Sequence, residues 1–489
     1  MNSELYFSIF TLGCKLNQLE SEAIADTFKK AGFRLVPWDS CSDEPRIIIV
    51  NTCTVTSKAD QKARRMIRKL LKDNPASCVI ATGCYAQLDA EGLMSLDEFS
   101  RNFKHRGAEA QRRGEEKKET GRRLFVLGGG EGVASSVKSV LLGLPEHLLD
   151  VITNQPDKPL PYIIESLMEN CGPGIKDDSV FSFKPDDFSF HSRGYLKIQD
   201  GCDNACAYCR VRLARGRSVS LNQETALERL RAFEAKGCPE LFITGVNITQ
   251  YSDGDVDLAG LLKLLLDKSE NVCLRLSSLE PERVDARLAS ILGHPRIRPH
   301  FHLSVQSGSD AVLRRMGRIY NVYTVEKAAA MLRSAKDNPF LACDIIAGFP
   351  GETEDEFSRT LEFCENTRFA WIHAFPYSKR PGTAAFSFGD PVRDIDKTRR
   401  VEALAALALR GRKEYAKAWL GKELSAVVEK NKTEGAKAPC RCRAVSENCL
   451  KLIINCNGEA PPPGSAIRCT PVSVCEEENV DAVAKELYP

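Results

Sequence analysis

Cys202, Cys206 and Cys209 lie within eight residues, in the segment GCDNACAYC. A Cys-x3-Cys-x2-Cys run sets three sulfur ligands on one tight loop and supplies no fourth. Thiolates are the usual ligands of iron–sulfur clusters, and four of them saturate a cubane. A cubane held by three keeps one iron open to another ligand. Structural zinc is normally closed by four ligands, commonly two paired Cys or Cys/His arms. No such pair follows; the next cysteine, Cys238, lies beyond a predicted helix. The ligand rules favour an open-sited 4Fe–4S cluster over zinc or unrelated thiols.

A second set emerges from topology. FSIFTLGCKLNQLESEAIADTFKKAGF reads as a strand, Cys14 and an amphipathic helix. RIIIVNTCTVTSKADQKARRMIRKLL repeats the unit around Cys53, and CVIATGCYAQLDAEGL begins a third around Cys84. Alternation of strand and helix implies a parallel sheet whose carboxyl ends share one edge, where ligands bind. Cys14, Cys53 and Cys84 each follow such an end and are expected to converge. Cys41 and Cys78 belong to the opposite edge and read as bland. Free cysteine often packs as a small hydrophobe, so three unrelated turn residues is the alternative. The shared position favours a second three-cysteine cluster.

The 489 residues suggest about two to four domains. A 43% hydrophobic, 27% charged composition is that of a globular protein. The net charge of +2 carries no global bias toward nucleic acid, so any RNA site must be local. Nineteen cysteines without a secretory leader read as reduced thiols and cluster ligands, not as a disulfide framework. No apolar run reaches the length of a membrane span. The expectation is a cytoplasmic protein with no membrane partner.

YLKIQDGCDNACAYC resembles the radical S-adenosylmethionine (SAM) superfamily. The resemblance implies that SAM chelates the open iron and is cleaved by one electron to a 5′-deoxyadenosyl radical. TLGCKLNQLESE, VNTCTVTSKAD and TGCYAQ resemble the signature segments of the methylthiotransferase family. That family joins an N-terminal domain to a radical-SAM core and a C-terminal RNA-binding TRAM domain. The implied cofactors are two 4Fe–4S clusters, on Cys14/Cys53/Cys84 and Cys202/Cys206/Cys209, together with SAM.

Six strand–helix units can be counted from 191 to 418, with strands GYLKIQD, LFITGV, VCLRLSS, HFHLSVQ, LACDIIAGF and WIHAFPYS. Six parallel units predict a partial (β/α)6 barrel with its active residues on the loops after the strands. By resemblance Tyr208, Gly245, Asn247, Ser277, Glu280, Gln306, Ser307 and Gly348 line the SAM site. RRMGRIYN resembles a Met-x-Arg-x-Tyr element, in which Arg318 either supports the pocket or forms a surface salt bridge. Arg210, Arg212, Arg215 and Arg217 are either a solvated face or phosphate contacts. Family members usually carry a proline before Ala-Arg-Gly; this chain has Arg212-Leu213.

The predicted architecture is α/β throughout its first two parts. Residues 1–149 form a doubly wound parallel-sheet methylthiotransferase domain, with a mixed-charge insertion at about 97–123; 150–190 form a linker. The radical SAM domain spans 191–418. A small TRAM-like β-barrel spans 419–489, where AVSENCLKLII resembles the TRAM core with Cys449 in place of an aromatic. Cys440, Cys442, Cys449, Cys456, Cys469 and Cys475 there match no metal spacing and read as ordinary small residues.

The resemblance implies methylthiolation of N6-threonylcarbamoyladenosine 3′ of a tRNA anticodon, with a flavodoxin or ferredoxin as electron donor. GCKLNQ fits that branch, whereas the isopentenyladenosine branch tends to Gly-Cys-Gln-Met-Asn and the ribosomal-protein aspartate branch to Gly-Cys-Pro-Lys-Asn. A non-catalytic iron–sulfur RNA-binding protein is the alternative of another class.

Overall fold

The computed structural model describes residues 5–40, 44–97, 122–128, 134–154, 158–170, 180–430, 441–456, 459–475, 477 and 479–487. The chain divides into two compact units, Met1–Ser189 with Arg210–Gly216, and Phe190–Cys209 with Arg217–Pro489.

The first unit is built on a parallel sheet in the order β2-β1-β3-β4-β5. Its strands are β1 (Tyr6–Thr11), β2 (Arg34–Leu35), β3 (Ile47–Thr52), β4 (Cys78–Gly83) and β5 (Leu124–Val126). Central strand β3, IIIVNT, is buried along its whole length, as expected where helices cover both faces. Successive side chains point to opposite faces. Phe7, Ile47, Ile49 and Ile80 therefore pack with α1 (Lys15–Lys30) and helix Ala134–Asn154. Ile48, Val50 and Val79 pack with Ala63, Ile67 and Leu70 of α2 (Ser57–Asp73). Thr56 caps α2 by accepting from Ala59 N at 3.1 Å. The stretch expected as a linker contributes to this core: Leu160, Ile163 and Ile164 of helix Leu160–Asn170 join it, as does Phe183. The charged insertion falls almost wholly outside the described residues.

The second unit holds six parallel strands in two groups of three, β12-β9-β6 and β13-β14-β15. They are β6 (Gly194–Lys197), β9 (Glu240–Thr244), β12 (Cys273–Leu276), β13 (His300–Gln306), β14 (Phe340–Ala347) and β15 (Trp371–Pro376). Two short antiparallel ribbons accompany them: β7 (Gln199–Asp200) with β8 (Val219–Ser220), and β10 (Ser252–Asp253) with β11 (Val256–Asp257). The seam between the groups is looser than a ladder. It consists of parallel bridges Leu274↔Ile297 and Leu279↔Leu303, with Leu279 N donating to His302 O at 2.8 Å. The six expected strands are all present, forming the partial (β/α)6 barrel.

Five C-terminal strands close a barrel in the order β16-β17-β18-β20-β19. These are β16 (Leu424–Val428), β17 (Arg441–Ser446), β18 (Lys451–Asn455), β19 (Ala466–Val474) and β20 (Ala482–Glu486). Its core is continuous with Phe340, Ala342, Ala370 and Tyr415 of the same unit. Cys442 and Cys469 are part of that core; Cys449 turns the β17–β18 hairpin at φ 67°. Cys440 lies outside the described residues.

Beneath the central strands sits a buried charge cluster. Arg275 donates through Nε and Nη2 to Glu240 at 2.7 and 3.1 Å, and through Nη2 to Ser446 O at 3.0 Å. Arg298 Nε reaches the same carboxylate at 2.8 Å and its Nη1 meets Glu447 at 3.3 Å. Burial would raise the Glu240 pKa, but Arg275, Arg298 and Arg193 outweigh it and hold the carboxyl at about 2.

Among the described residues no helix is long and apolar enough to cross a membrane.

Candidate functional site

In the second unit the three-cysteine loop leaves β6 and β7 and is fixed from several sides. Gln199, fully buried, donates through Nε2 to Asp200 O at 2.9 Å and to Gly201 O at 2.7 Å. Its Oε1 accepts from Asn247 N at 2.8 Å, tying the cysteine loop to the loop after β9. Asn247 Nδ2 in turn approaches Cys202 Sγ at 3.9 Å. Ala207 N donates to Met316 O at 2.9 Å and Ala385 N to Ala207 O at 2.7 Å, so the loop's backbone is anchored at both sides. Burial raises the Cys202 and Cys206 thiols; the Asn204 backbone and Asn247 amide oppose this at Cys202, and Arg318 at Cys206.

Arg318 organises the adjoining wall. Its Nη1 lies 3.2 and 3.0 Å from the two oxygens of Glu280, and Nη2 donates to Tyr208 OH at 2.9 Å. The guanidinium also lies 5.4 Å from the Tyr320 ring centre. This pair is buried, not a surface bridge. Burial raises the Glu280 carboxyl, with Arg318 pulling the other way.

The remaining expected SAM-site residues sit in different settings. Gly245 is packed against Gln199, which a Cβ would meet at 2.9 Å. Ser277 N pairs with Ile243 O at 3.0 Å at the end of β12. Gln306 closes β13 at φ 69°, a left-handed conformation. Ser307 is fully buried, with its hydroxyl 3.3 Å from Thr360 and accepting from Ser309 N at 3.2 Å. Gly348 follows β14 at φ 76°, and the space a Cβ would need holds Lys397, 2.4 Å away. Cys202, Asn247 and Gln199 are thus linked, as are Tyr208, Arg318 and Glu280; Ser307 and Gly348 contact helices outside the strands.

In the first unit β1, β3 and β4 are immediate neighbours, with Thr11 opposite Asn51 and Asn51 opposite Thr82. Cys14, Cys53 and Cys84 follow these ends and are close enough to influence one another electrostatically. Cys14 precedes α1; Cys84 starts helix α3 (Cys84–Leu88). Gly13, at φ +115°, allows this approach, since a Cβ there would stand 2.7 Å from Cys53 Cβ. Asn17 and Asn51, both fully buried, exchange amide bonds: Asn17 Nδ2 reaches Asn51 Oδ1 at 2.8 Å and Asn51 Nδ2 reaches Asn17 O at 2.9 Å. Burial pushes the Cys53 thiol up to about 12.

Arg215 is neither solvated nor free for phosphate. On helix Val211–Arg215 of this unit, it donates from Nε to Cys84 Sγ at 3.2 Å and from Nη1 to Glu20 at 2.9 Å.

Among the described residues no three His, Cys, Asp or Glu side chains are close enough to share a single ion. The donors of each set are thiols alone, whose soft sulfur suits iron–sulfur chemistry. Cys53, Cys84, Cys202 and Cys206, whose thiols burial raises, need a cationic partner to ionise, which such a cluster provides.

Residues 196–364 match the Radical SAM superfamily, and residues 6–102 match Uncharacterized protein family UPF0004. A threonylcarbamoyladenosine tRNA methylthiotransferase MtaB from Treponema pallidum (strain Nichols) is 40% identical over 94% of this chain and 97% of its own. The chain belongs to the methylthiotransferase family of radical SAM proteins. Membership brings SAM and a 4Fe–4S cluster as cofactors. A tRNA-2-methylthio-N(6)-dimethylallyladenosine synthase from Lawsonia intracellularis (strain PHE/MN1-00) is 28% identical, covering 87% of each chain. Likeness to the solved radical SAM methyltransferase TsrM of Kitasatospora setae is remote, at a TM-score of 0.47 and 12% identity over 78% of this chain and 77% of that one.

Asn17 and Asn51 carry no chemistry by residue type, and no motif in the sequence singles them out. The signal for them is a polar Asn51 directly after the apolar run IIIV of β3. Gln199 likewise carries no chemistry by residue type.

Proposed function

We propose that this enzyme methylthiolates N6-threonylcarbamoyladenosine 3′ of the anticodon in tRNA, using SAM and two 4Fe–4S clusters. The observation that carries the reading is the alignment of Cys14, Cys53 and Cys84 on three adjacent strand ends of the first unit, in a chain whose second unit carries a separate Cys202/Cys206/Cys209 loop. Methylthiolation needs both a hydrogen abstractor and a sulfur carrier, and two three-thiol sites supply a place for each.

Cys202, Cys206 and Cys209 would hold the cluster that binds SAM, and Cys14, Cys53 and Cys84 the one that carries sulfur. When bound, these groups supply one-electron SAM cleavage and a sulfur for transfer, chemistry that side chains cannot perform. The protein's own part is orientation and exclusion of water. Gln199 and Asn247 fix the cysteine loop, and Arg318 keeps Glu280 and Tyr208 in place. Tyr208, Gly245, Asn247, Ser277, Glu280, Gln306, Ser307 and Gly348 are proposed to surround SAM. The base must leave its stack to react, as for other enzymes that modify bases.

The assignment of parts follows: a methylthiotransferase domain that keeps the 150–189 stretch with 1–149, a radical SAM domain 191–418 and a TRAM-like module 419–489. A flavodoxin or ferredoxin would donate electrons, in the cytoplasm. The 40% identity to the Treponema pallidum threonylcarbamoyladenosine enzyme, against 28% and 31% to two dimethylallyladenosine enzymes, supports the substrate. Nucleoside mass spectrometry of tRNA from a deletion strain tests it. Loss of 2-methylthio-N6-threonylcarbamoyladenosine is expected; loss of the isopentenyl derivative, or of methylthio-aspartate in ribosomal protein, would reassign the substrate.

A further inference from the structure

Arg215 stands six residues after Cys209, yet the short helix that carries it is part of the first unit. Its guanidinium is almost wholly buried, at 8% side-chain exposure, and so is the Glu20 carboxylate at 7%. Two edges of one rigid fork are used at once. Nη1 is clamped by Glu20 on α1 at 2.9 Å, which leaves Nε aimed at Cys84 Sγ at 3.2 Å. A buried ion pair by itself is weak evidence of a stabilising role. Here, however, the pair delivers a charged N–H to one sulfur of three that converge on the same sheet edge. Cys14 Sγ, by contrast, donates to the amide oxygen Asn17 Oδ1 at 3.3 Å.

We propose that Arg215 is a positioning residue for the Cys14/Cys53/Cys84 site, donating to the Cys84 sulfur so as to raise the reduction potential of the cluster bound there. This rests on the two-cluster reading above. Hydrogen bonds to ligand sulfurs and net charge are among the factors that set iron–sulfur potentials. A cationic donor stabilises the extra negative charge of the reduced cluster, and charge-assisted bonds are the stronger kind. Glu20 sets the direction of the donor by holding the opposite side of the guanidinium. Lysine lacks the planar fork and could satisfy only part of this arrangement.

The test uses full-length protein with Cys202, Cys206 and Cys209 all changed to Ala, so that iron is bound at the first unit alone. After anaerobic reconstitution, iron and sulfide are counted and a dithionite titration is followed by electron paramagnetic resonance. The parent should hold about four irons. Arg215→Gln should keep them and move the midpoint to a more negative potential. Arg215→Lys should lie between Arg215→Gln and the parent, and Glu20→Gln should shift in the same direction as Arg215→Gln but less. Iron lost from Arg215→Gln and kept by Arg215→Lys, with unchanged circular dichroism, would also support the role. An unchanged midpoint in Arg215→Gln overturns the proposal while leaving the second cluster standing. Iron and circular dichroism lost together in both Arg215 variants would likewise overturn it, as a purely structural clamp. No iron in the parent background would remove the two-cluster reading itself.

Discussion

Arg318 and Glu280 form a buried two-pronged ion pair, with Nη1 at 3.0 and 3.2 Å from the carboxylate oxygens. The residues are far apart in sequence and meet beside Tyr208 of the cysteine loop. Breaking a buried pair from one side leaves a charge uncompensated, which costs about 3–5 kcal/mol. Arg318→Met should therefore lower the thermal midpoint and slow SAM cleavage, while adding Glu280→Gln should restore part of the stability. A double-mutant cycle by calorimetry measures the coupling. Additive losses would show that the two side chains act independently.

Cys206→Ala should abolish SAM cleavage and remove about one cluster of iron, because two thiolates rarely retain a cubane. The readouts are deoxyadenosine by chromatography and iron per chain. Undiminished deoxyadenosine would exclude this loop as the radical-generating site.

Cys53→Ala should leave SAM cleavage largely intact and stop methylthio product. Cys53 lies on the first unit, remote in sequence from the loop at Cys202. Normal product from this variant would make the three strand-end thiols structural.

Strand–helix alternation alone places Cys14, Cys53 and Cys84 on one edge, since a parallel sheet leaves no other choice. Register was not readable, and with it the Asn17–Asn51 exchange that locks α1 to the end of β3. Arg318 could be named but not paired, because Glu280 comes from another strand's loop. Arg215 looked like one more arginine in a basic run; only the return of its helix to the first unit gives it Cys84 and Glu20 as neighbours.

Lys15 begins α1 directly after Cys14, where the isopentenyladenosine branch tends to glutamine. A lysine beside the proposed sulfur-carrying site would suit the carboxylate of the threonylcarbamoyl group. Such a charged hydrogen bond is worth about 1.5–3 kcal/mol, or roughly tenfold or more in discrimination. Lys15→Gln should narrow the preference for threonylcarbamoylated over isopentenylated tRNA in paired turnover assays. An unaltered ratio would remove Lys15 from substrate selection.

Acid should weaken the second unit through Glu240. Its folded pKa of about 2 lies below the ordinary carboxylate value of 4.5. The stability it contributes is thus complete above about pH 4.5 and disappears as pH falls toward 2. Glu240→Gln should be less stable than wild type by about 3–5 kcal/mol at neutral pH. The gap should close across that acid window in denaturant titrations of the apo proteins. A constant gap would mean that Arg275 and Arg298 do not govern this carboxyl.

The same cluster has a consequence for how the second unit comes apart. Arg275 answers to Glu240 on one side and to the Ser446 carbonyl of the terminal barrel on the other. Arg193 and Arg298 reach the barrel through Glu429 and Glu447. Detaching that barrel would strip acceptors from three arginines at once and uncover Phe340 and Tyr415. The terminal barrel and the six-stranded portion should therefore melt in one transition, and a chain cut near residue 418 would lose Glu429, Glu447 and the Ser446 carbonyl, leaving Arg193, Arg275 and Arg298 to share Glu240.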